Sequence, residues 1–156
     1  MKQKTIATVV TLFIAVLAIN TLPALACELI ALTPGYWKQR QHFGSWPQGI
    51  NPTDKLESYF VFPPELGALK TDTLLQALGY NGGKGLEGAA RILLRASVAA
   101  LLNAEKFGKI TPSSDGYAGS TSEVIELVNL TMDTLDRDTM LWVASQLDLL
   151  NNRIWP

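Results

Sequence analysis

Residues 86–107, LEGAARILLRASVAALLNAEKF, constrain the fold more than any other part of this chain. The stretch has no proline and is built mainly from Ala, Leu, Arg, Glu and Lys, all strong helix formers, so it reads as one helix of about 22 residues, roughly 33 Å long. Apolar residues cover nearly its whole circumference. A helix of that kind is stable in water only when other elements surround it, which makes it the centre of a small bundle. Among its few polar positions, Glu87, Arg91 and Arg95 are spaced by four and predict a ladder of i,i+4 pairs along one stripe. The same charges make membrane insertion costly.

Shorter helical signals flank it. Thr71 or Asp72 is placed to cap a short helix through Leu78, which Gly79 ends, and the turn YNGGKG follows. After the long helix, residues 108–120 (GKITPSSDGYAGS) carry turn formers without periodicity and read as a surface loop. Ser120 and Glu123 match a capping box, opening a helix over residues 121–135 with Val124, Leu127, Val128 and Leu135 on one side. Asp136 is placed to cap a last helix over residues 137–151, with Met140, Val143, Ala144 and Leu147 on its inner face and Trp142 and Leu150 beside it. The end, RIWP, is expected to fold Trp155 back onto the bundle.

Residues 27–70 differ in character. Pro34, Pro47, Pro52, Pro63 and Pro64 interrupt every few residues and exclude a long helix. Helical turns are expected at residues 37–42 and 53–59, with an extended stretch over residues 59–62 that the double proline ends. The fold class is therefore all-α: a small helical bundle over residues 71–156, with an irregular aromatic, Pro- and Gly-rich arm before it.

The first 26 residues do not belong to that fold. MKQK is a short cationic start, TIATVVTLFIAVLAI is an uncharged apolar run, and NTLPALA supplies a helix breaker and small residues before Cys27. This is the layout of a secretory signal peptide, with cleavage after Ala26, and it implies a secreted or cell-envelope location. Ala24-Leu25-Ala26-Cys27 also loosely resembles a bacterial lipobox, so lipidation of Cys27 is the alternative to plain cleavage. Contact with a membrane is then expected only through the signal peptide or a lipidated Cys27.

Cys27 is the only cysteine, so no intramolecular disulfide can staple the domain and packing must hold it. Removing Lys2 and Lys4 from the 13 basic residues leaves 11 against 14 acidic ones, a net charge of about −3. An acidic domain lacks the basic patches that displace counterions from nucleic acid, and no nucleic-acid partner is expected.

Several groupings invite a chemical reading. Gly83-Lys84-Gly85-Leu86-Glu87-Gly88 is a literal GxGxxG, but a helix precedes it where a dinucleotide motif needs a strand. It reads as an interhelical turn with close packing at Gly88. His42 is the only histidine; with Asp54 or Glu57 it defines a weak-hydrolase alternative, and Asp54 with Glu57 is a formal carboxylate pair. Asp133, Asp136 and Asp138 are close enough in sequence to approach a calcium ion, yet the glycine and alternating ligands of an EF-hand are missing, and helix capping is the simpler role. The chain implies no cofactor and no metal site. Asn129-Leu130-Thr131 is a formal N-glycosylation sequon. Finally, Tyr36, Trp37, His42 and Trp46 fall close together in TPGYWKQRQHFGSWP, as core fasteners or as flat faces for a sugar or a protein partner.

Two blocks carry a resemblance. CELIALTPGYWKQRQHFGSWP and DTLLQALGYNGGKGLEGAARILLRASVAALLNA resemble, in order and spacing, a group of uncharacterised exported prokaryotic proteins with a TPGYWK motif followed by a Leu/Gly-rich block ending AALLNA. The two cover residues 27 to about 104. Members often have His two positions after the motif lysine, where this chain has Arg40, with His42 two further on. The resemblance implies export and envelope association, and it brings no activity with it.

Taken together these features point to an exported, non-enzymatic envelope or extracellular module that binds or scaffolds, with an envelope protein or a polysaccharide as the partner class. The alternatives are a carbohydrate-binding module using exposed Tyr36, Trp37 and Trp46, and the His42 hydrolase.

Overall fold

The computed structural model describes residues 30–111 and 114–152. The expected signal peptide, the Ala26–Cys27 junction and the RIWP end lie outside the described residues. Within them the protein is all-α. The arm holds a four-residue helix, α1 (Pro34–Trp37), and 3₁₀ turns at Arg40–Ser45, Leu56–Ser58 and Pro64–Leu69. The bundle follows with α2 (Leu74–Leu78), α3 (Gly85–Phe107), α4 (Thr121–Asp133) and α5 (Arg137–Asn151).

α3 is the central helix, packed against α5 most extensively and also against α4, α2 and α1. Every residue from 96 to 104 is buried, the physical consequence of an apolar surface that runs all the way round. Two polar residues accept that burial because they are hydrogen-bonded: Ser97 Oγ donates back to Leu93 O (2.7 Å), and Asn103 is met by the arm and by α5. The inner faces of α4 (Val124, Leu127, Val128, Met132) and α5 (Met140, Val143, Ala144, Leu147, Leu150) close the core.

Local signals set the helix ends. Ser120 Oγ accepts the Glu123 amide (3.3 Å) while Glu123 Oε2 accepts the Ser120 amide (2.8 Å), the expected capping box at α4. Asp136 Oδ1 accepts the Thr139 amide (2.7 Å) and caps α5. A second capping box opens α2, and there the cap is Thr73 with Gln76, not Thr71 or Asp72. At Gly88 an added Cβ would lie 2.2 Å from the carbonyl carbon and oxygen of Gly83, so the first turn of α3 packs directly on the backbone of the preceding turn.

Five expectations need correction. α4 stops at Asp133, and Leu135 takes a left-handed conformation (φ 52°) in the link to α5, outside the apolar face assigned to it. Trp142 is exposed instead of joining Leu150 in the core. Arg95 leaves the ladder: Glu87 and Arg91 pair at 2.8 Å, but Arg95 reaches across to Asp148 on α5 (3.5 Å), because helix crossing brings that carboxylate to its stripe. The helical turns of the arm fall at residues 34–37, 40–45, 56–58 and 64–69, so the expected turns at 37–42 and 53–59 are met only in part and the first and last were not expected. The loop is not all surface either. Tyr117 and Ala118 are buried, held by bonds from Ile110 N to Tyr117 O (2.8 Å) and from Tyr117 N to Gly108 O (2.7 Å), and a Cβ on Gly116 would lie 2.7 Å from Gly108 O.

Candidate functional site

Thr33 begins the arm's contribution by capping α1: its Oγ1 accepts the Tyr36 amide at 3.1 Å, and Pro34 occupies the first turn, where a missing N–H costs nothing. This turn sends Trp37 inward and leaves Lys38 exposed. Trp37 is 0% exposed and Trp46 7%, so neither indole offers a face to solvent. This is the core-fastener reading of the stretch, and it overturns the alternative of exposed tryptophans for sugar binding: in a domain without a disulfide, the two rings fasten an irregular arm to the core. They meet edge to face with centroids 6.4 Å apart, and Trp46 Nε1 donates to Trp37 O (3.1 Å).

Trp37 is tied further in. Its Nε1 donates to Asn103 Oδ1 (3.2 Å), which also accepts the Leu32 amide (2.8 Å). Asn103 Nδ2 donates to Leu32 O (2.9 Å) and to Asn151 Oδ1 (3.0 Å). Asn151 in turn accepts the Tyr117 hydroxyl (3.0 Å) and donates to Ala96 O (2.9 Å). The network therefore joins the arm, α3, the 108–120 loop and α5 through two asparagines with no exposure. Among the described residues no buried side-chain polar atom lacks a partner, so this chain of bonds is fully satisfied and structural in kind. Burial pushes the Tyr117 hydroxyl far above the usual tyrosine range and keeps it neutral, with the charge of Asp148 adding to the effect.

The half-buried side of the aromatic stretch belongs to Tyr36 and His42, whose rings stack at 3.8 Å with planes 14° apart. The Tyr36 hydroxyl and Ser45 Oγ lie 3.0 Å apart. No hydrogen bond or ion pair joins the His42 side chain to a carboxylate among the described residues. Asp54 is engaged elsewhere, accepting the Asn51 amide (2.7 Å) and the Tyr59 hydroxyl (2.9 Å). The Asn51 amide above all, then the Tyr59 hydroxyl, hold its carboxyl below the usual range despite some opposing desolvation. Glu57 stands 4.0 Å from Lys70 Nζ. Neither acid is hydrogen-bonded or ion-paired to His42 among the described residues, so the His42–carboxylate pairing of the hydrolase alternative is not formed there.

Asp136 caps α5, and among the described residues no group of three or more His, Cys, Asp or Glu is placed to hold a metal ion. Asn129 Oδ1 accepts the Val61 amide (2.9 Å), pinning the stretch before the double proline, and the sequon's Thr131 is buried with its hydroxyl on Leu127 O (2.7 Å). No helix among the described residues is long and apolar enough to cross a membrane.

What the arm does open to solvent is a pocket of about 350 Å³. Thr33, Pro34, Gly35 and Lys38 of the TPGYWK stretch form one wall; Leu78, Arg95 and the end of α5, Asp148 and Asn152, form the other. Arg95 and Asp148 make a long contact at 3.5 Å, and Asn152 Nδ2 donates to Asp148 O (2.7 Å). Lys38 has no ion pair or hydrogen bond to its ammonium among the described residues. The volume lies at the lower end of the range that small ligands occupy, about 300–1,000 Å³. Sequence reasoning passed over this site. The one local sign is Arg95, a cation in the middle of a largely apolar helix; Asp148 and Asn152 approach only through the packing of α5 on α3.

No protein-family model, curated protein or solved structure matches this chain.

Proposed function

We propose that this chain is an exported, non-enzymatic module of the cell envelope or extracellular space that binds a ligand or partner through the pocket beside TPGYWK. The observation that carries the reading is the division of that stretch into two sides. Trp37 is fastened inward to Asn103, while Thr33, Gly35 and Lys38 line a polar pocket with Arg95 and Asp148 opposite. A charged, open pocket on a well-held scaffold suits recognition. No nucleophile with an adjacent base lines it, which favours binding over hydrolysis. The layout of residues 1–26 and the resemblance of the two sequence blocks support export.

Two measurements test this. Mass spectrometry of the processed chain should find the new terminus at Cys27; a lipid-sized mass increase that Cys27→Ser abolishes would select the lipidated form, and a retained leader would defeat export. Amide NMR of the processed chain, titrated with an envelope polysaccharide fraction and an envelope protein extract, should shift the signals of Gly35, Lys38, Arg95 and Asn152. Shifts confined to other surfaces would remove the pocket from the proposal.

A further inference from the structure

We infer that the pocket takes a small monocarboxylate that also carries hydroxyl groups, the chemistry of a hexuronate or a sugar acid. This rests on the proposal that the pocket is the binding surface, and it follows from the inventory of charges and donors there. Lys38 and Arg95 supply two cations and Asp148 one anion, so the pocket carries a surplus of one positive charge. A monoanion neutralises that surplus. A dianion such as sulfate overshoots it and meets the Asp148 carboxylate, and a neutral sugar leaves it in place.

The donors match a carboxylate in geometry as well as charge. Arg95 has five N–H groups in a planar fork, and among the described residues its only ion-pair contact is the 3.5 Å approach to Asp148. That distance is at the limit of a hydrogen bond, so the fork is held in place without being saturated. A guanidinium in this state can accept a carboxylate while Asp148 keeps it oriented. Lys38 adds an exposed ammonium from the arm's side of the pocket.

The hydroxyl requirement comes from the acceptors. Asp148 offers carboxylate oxygens that the long Arg95 contact leaves largely unused. Thr33 Oγ1 already accepts the Tyr36 amide, so its remaining hydroxyl proton is available to donate. Pro34 and Leu78 supply a small apolar wall for the carbon skeleton.

The test is amide NMR with calorimetry on the processed chain, using sodium glucuronate, glucose, sulfate and glycine as separate probes. Glucuronate should shift Gly35, Lys38, Arg95 and Asn152 saturably, with glucose and sulfate at least about tenfold weaker. Lys38→Ala should weaken glucuronate by about tenfold or more while the rest of the spectrum stays unchanged, since that side chain is exposed and unpaired. Arg95→Gln should weaken it further; because Arg95 also contacts α5, Lys38→Ala is the deciding variant. Equal affinity for glucose would show that the carboxylate is not read, and equal affinity for sulfate would reduce the site to a general anion hole. If glucose or glycine shifts the pocket amides and glucuronate does not, the ligand class is wrong while the pocket remains the binding surface. If none of the probes and neither envelope fraction shifts them, both proposals fall.

Discussion

The indole N–H of Trp37 donates to Asn103 Oδ1 at 3.2 Å, across 66 positions of sequence. The bond joins the Trp of TPGYWK to the Asn of AALLNA, so the two blocks that stand out in the sequence are one structural unit. Removing either partner should therefore have unequal effects. Trp37→Phe keeps most of the ring packing and frees one lobe of an oxygen that still accepts from Leu32, and should cost about 1 kcal/mol. Asn103→Leu leaves the Trp37 indole N–H and the Leu32 amide and carbonyl without partners in a buried site, and should cost about 3 kcal/mol or more. Urea unfolding of both single variants and the double variant gives the coupling; a value near zero would mean that the two residues act independently.

Gly88 is the second point of close contact. A methyl group there would collide with the Gly83 carbonyl, which is backbone and cannot rotate away. Gly88→Ala should destabilise the chain by about 1–3 kcal/mol although alanine is the better helix former, and thermal unfolding would show it. A stabilised Gly88→Ala protein would contradict the geometry.

The link between α4 and α5 makes the opposite case. Leu135 sits at φ 52°, a conformation that costs a residue with a Cβ roughly 1–2 kcal/mol, and its side chain is partly exposed. Leu135→Gly should raise stability by about 0.5–1 kcal/mol once the lost contact is allowed for. Denaturant midpoints of the two proteins decide it.

Stability should fall at both ends of the pH range. Burial first, then the bond to Asp54, pushes the Tyr59 hydroxyl up to about 12, and burial raises Tyr80 and Tyr117 further. A group whose folded pKa is raised contributes below its unfolded value and loses that contribution as pH rises, so unfolding free energy should drop from about pH 10 upward. Tyrosinate absorbance should lag in the native protein and jump on unfolding. At the acid end Asp54, Glu123 and Asp136 are all held below their usual values. Burial opposes the shift at Glu123, and its bonds to Lys109 and Ser120 outweigh it. Lowered values act in the reverse sense: their contribution is present at neutral pH and fades as pH falls below about 4. Chemical denaturation at a series of pH values checks both limbs, and a flat profile above pH 10 would argue against buried tyrosines.

The parts of this fold that could be read along the chain are those whose cause lies within about one helical turn. The apolar circumference of residues 86–107 demanded a central helix, and Ser120 with Glu123 and Asp136 with Thr139 are caps formed between neighbours three apart. Gly83 and Gly88 marked a tight turn for the same reason. Only the assembled bundle decided that Arg95 pairs with Asp148 instead of extending its own helix's ladder, that Tyr117 of an aperiodic loop fills the core, and that Trp37 and Trp46 turn inward while Trp142 stays exposed. Those outcomes depend on where α5 and the arm come to rest against α3. Hydrophobic burial is non-directional: it requires that the apolar stripe be covered, but leaves the partner of each polar side chain to the angle and register at which the covering elements settle. The pocket lies on that second level, with one wall from residues 33–38 and the other from Arg95 and the far end of the chain's last helix.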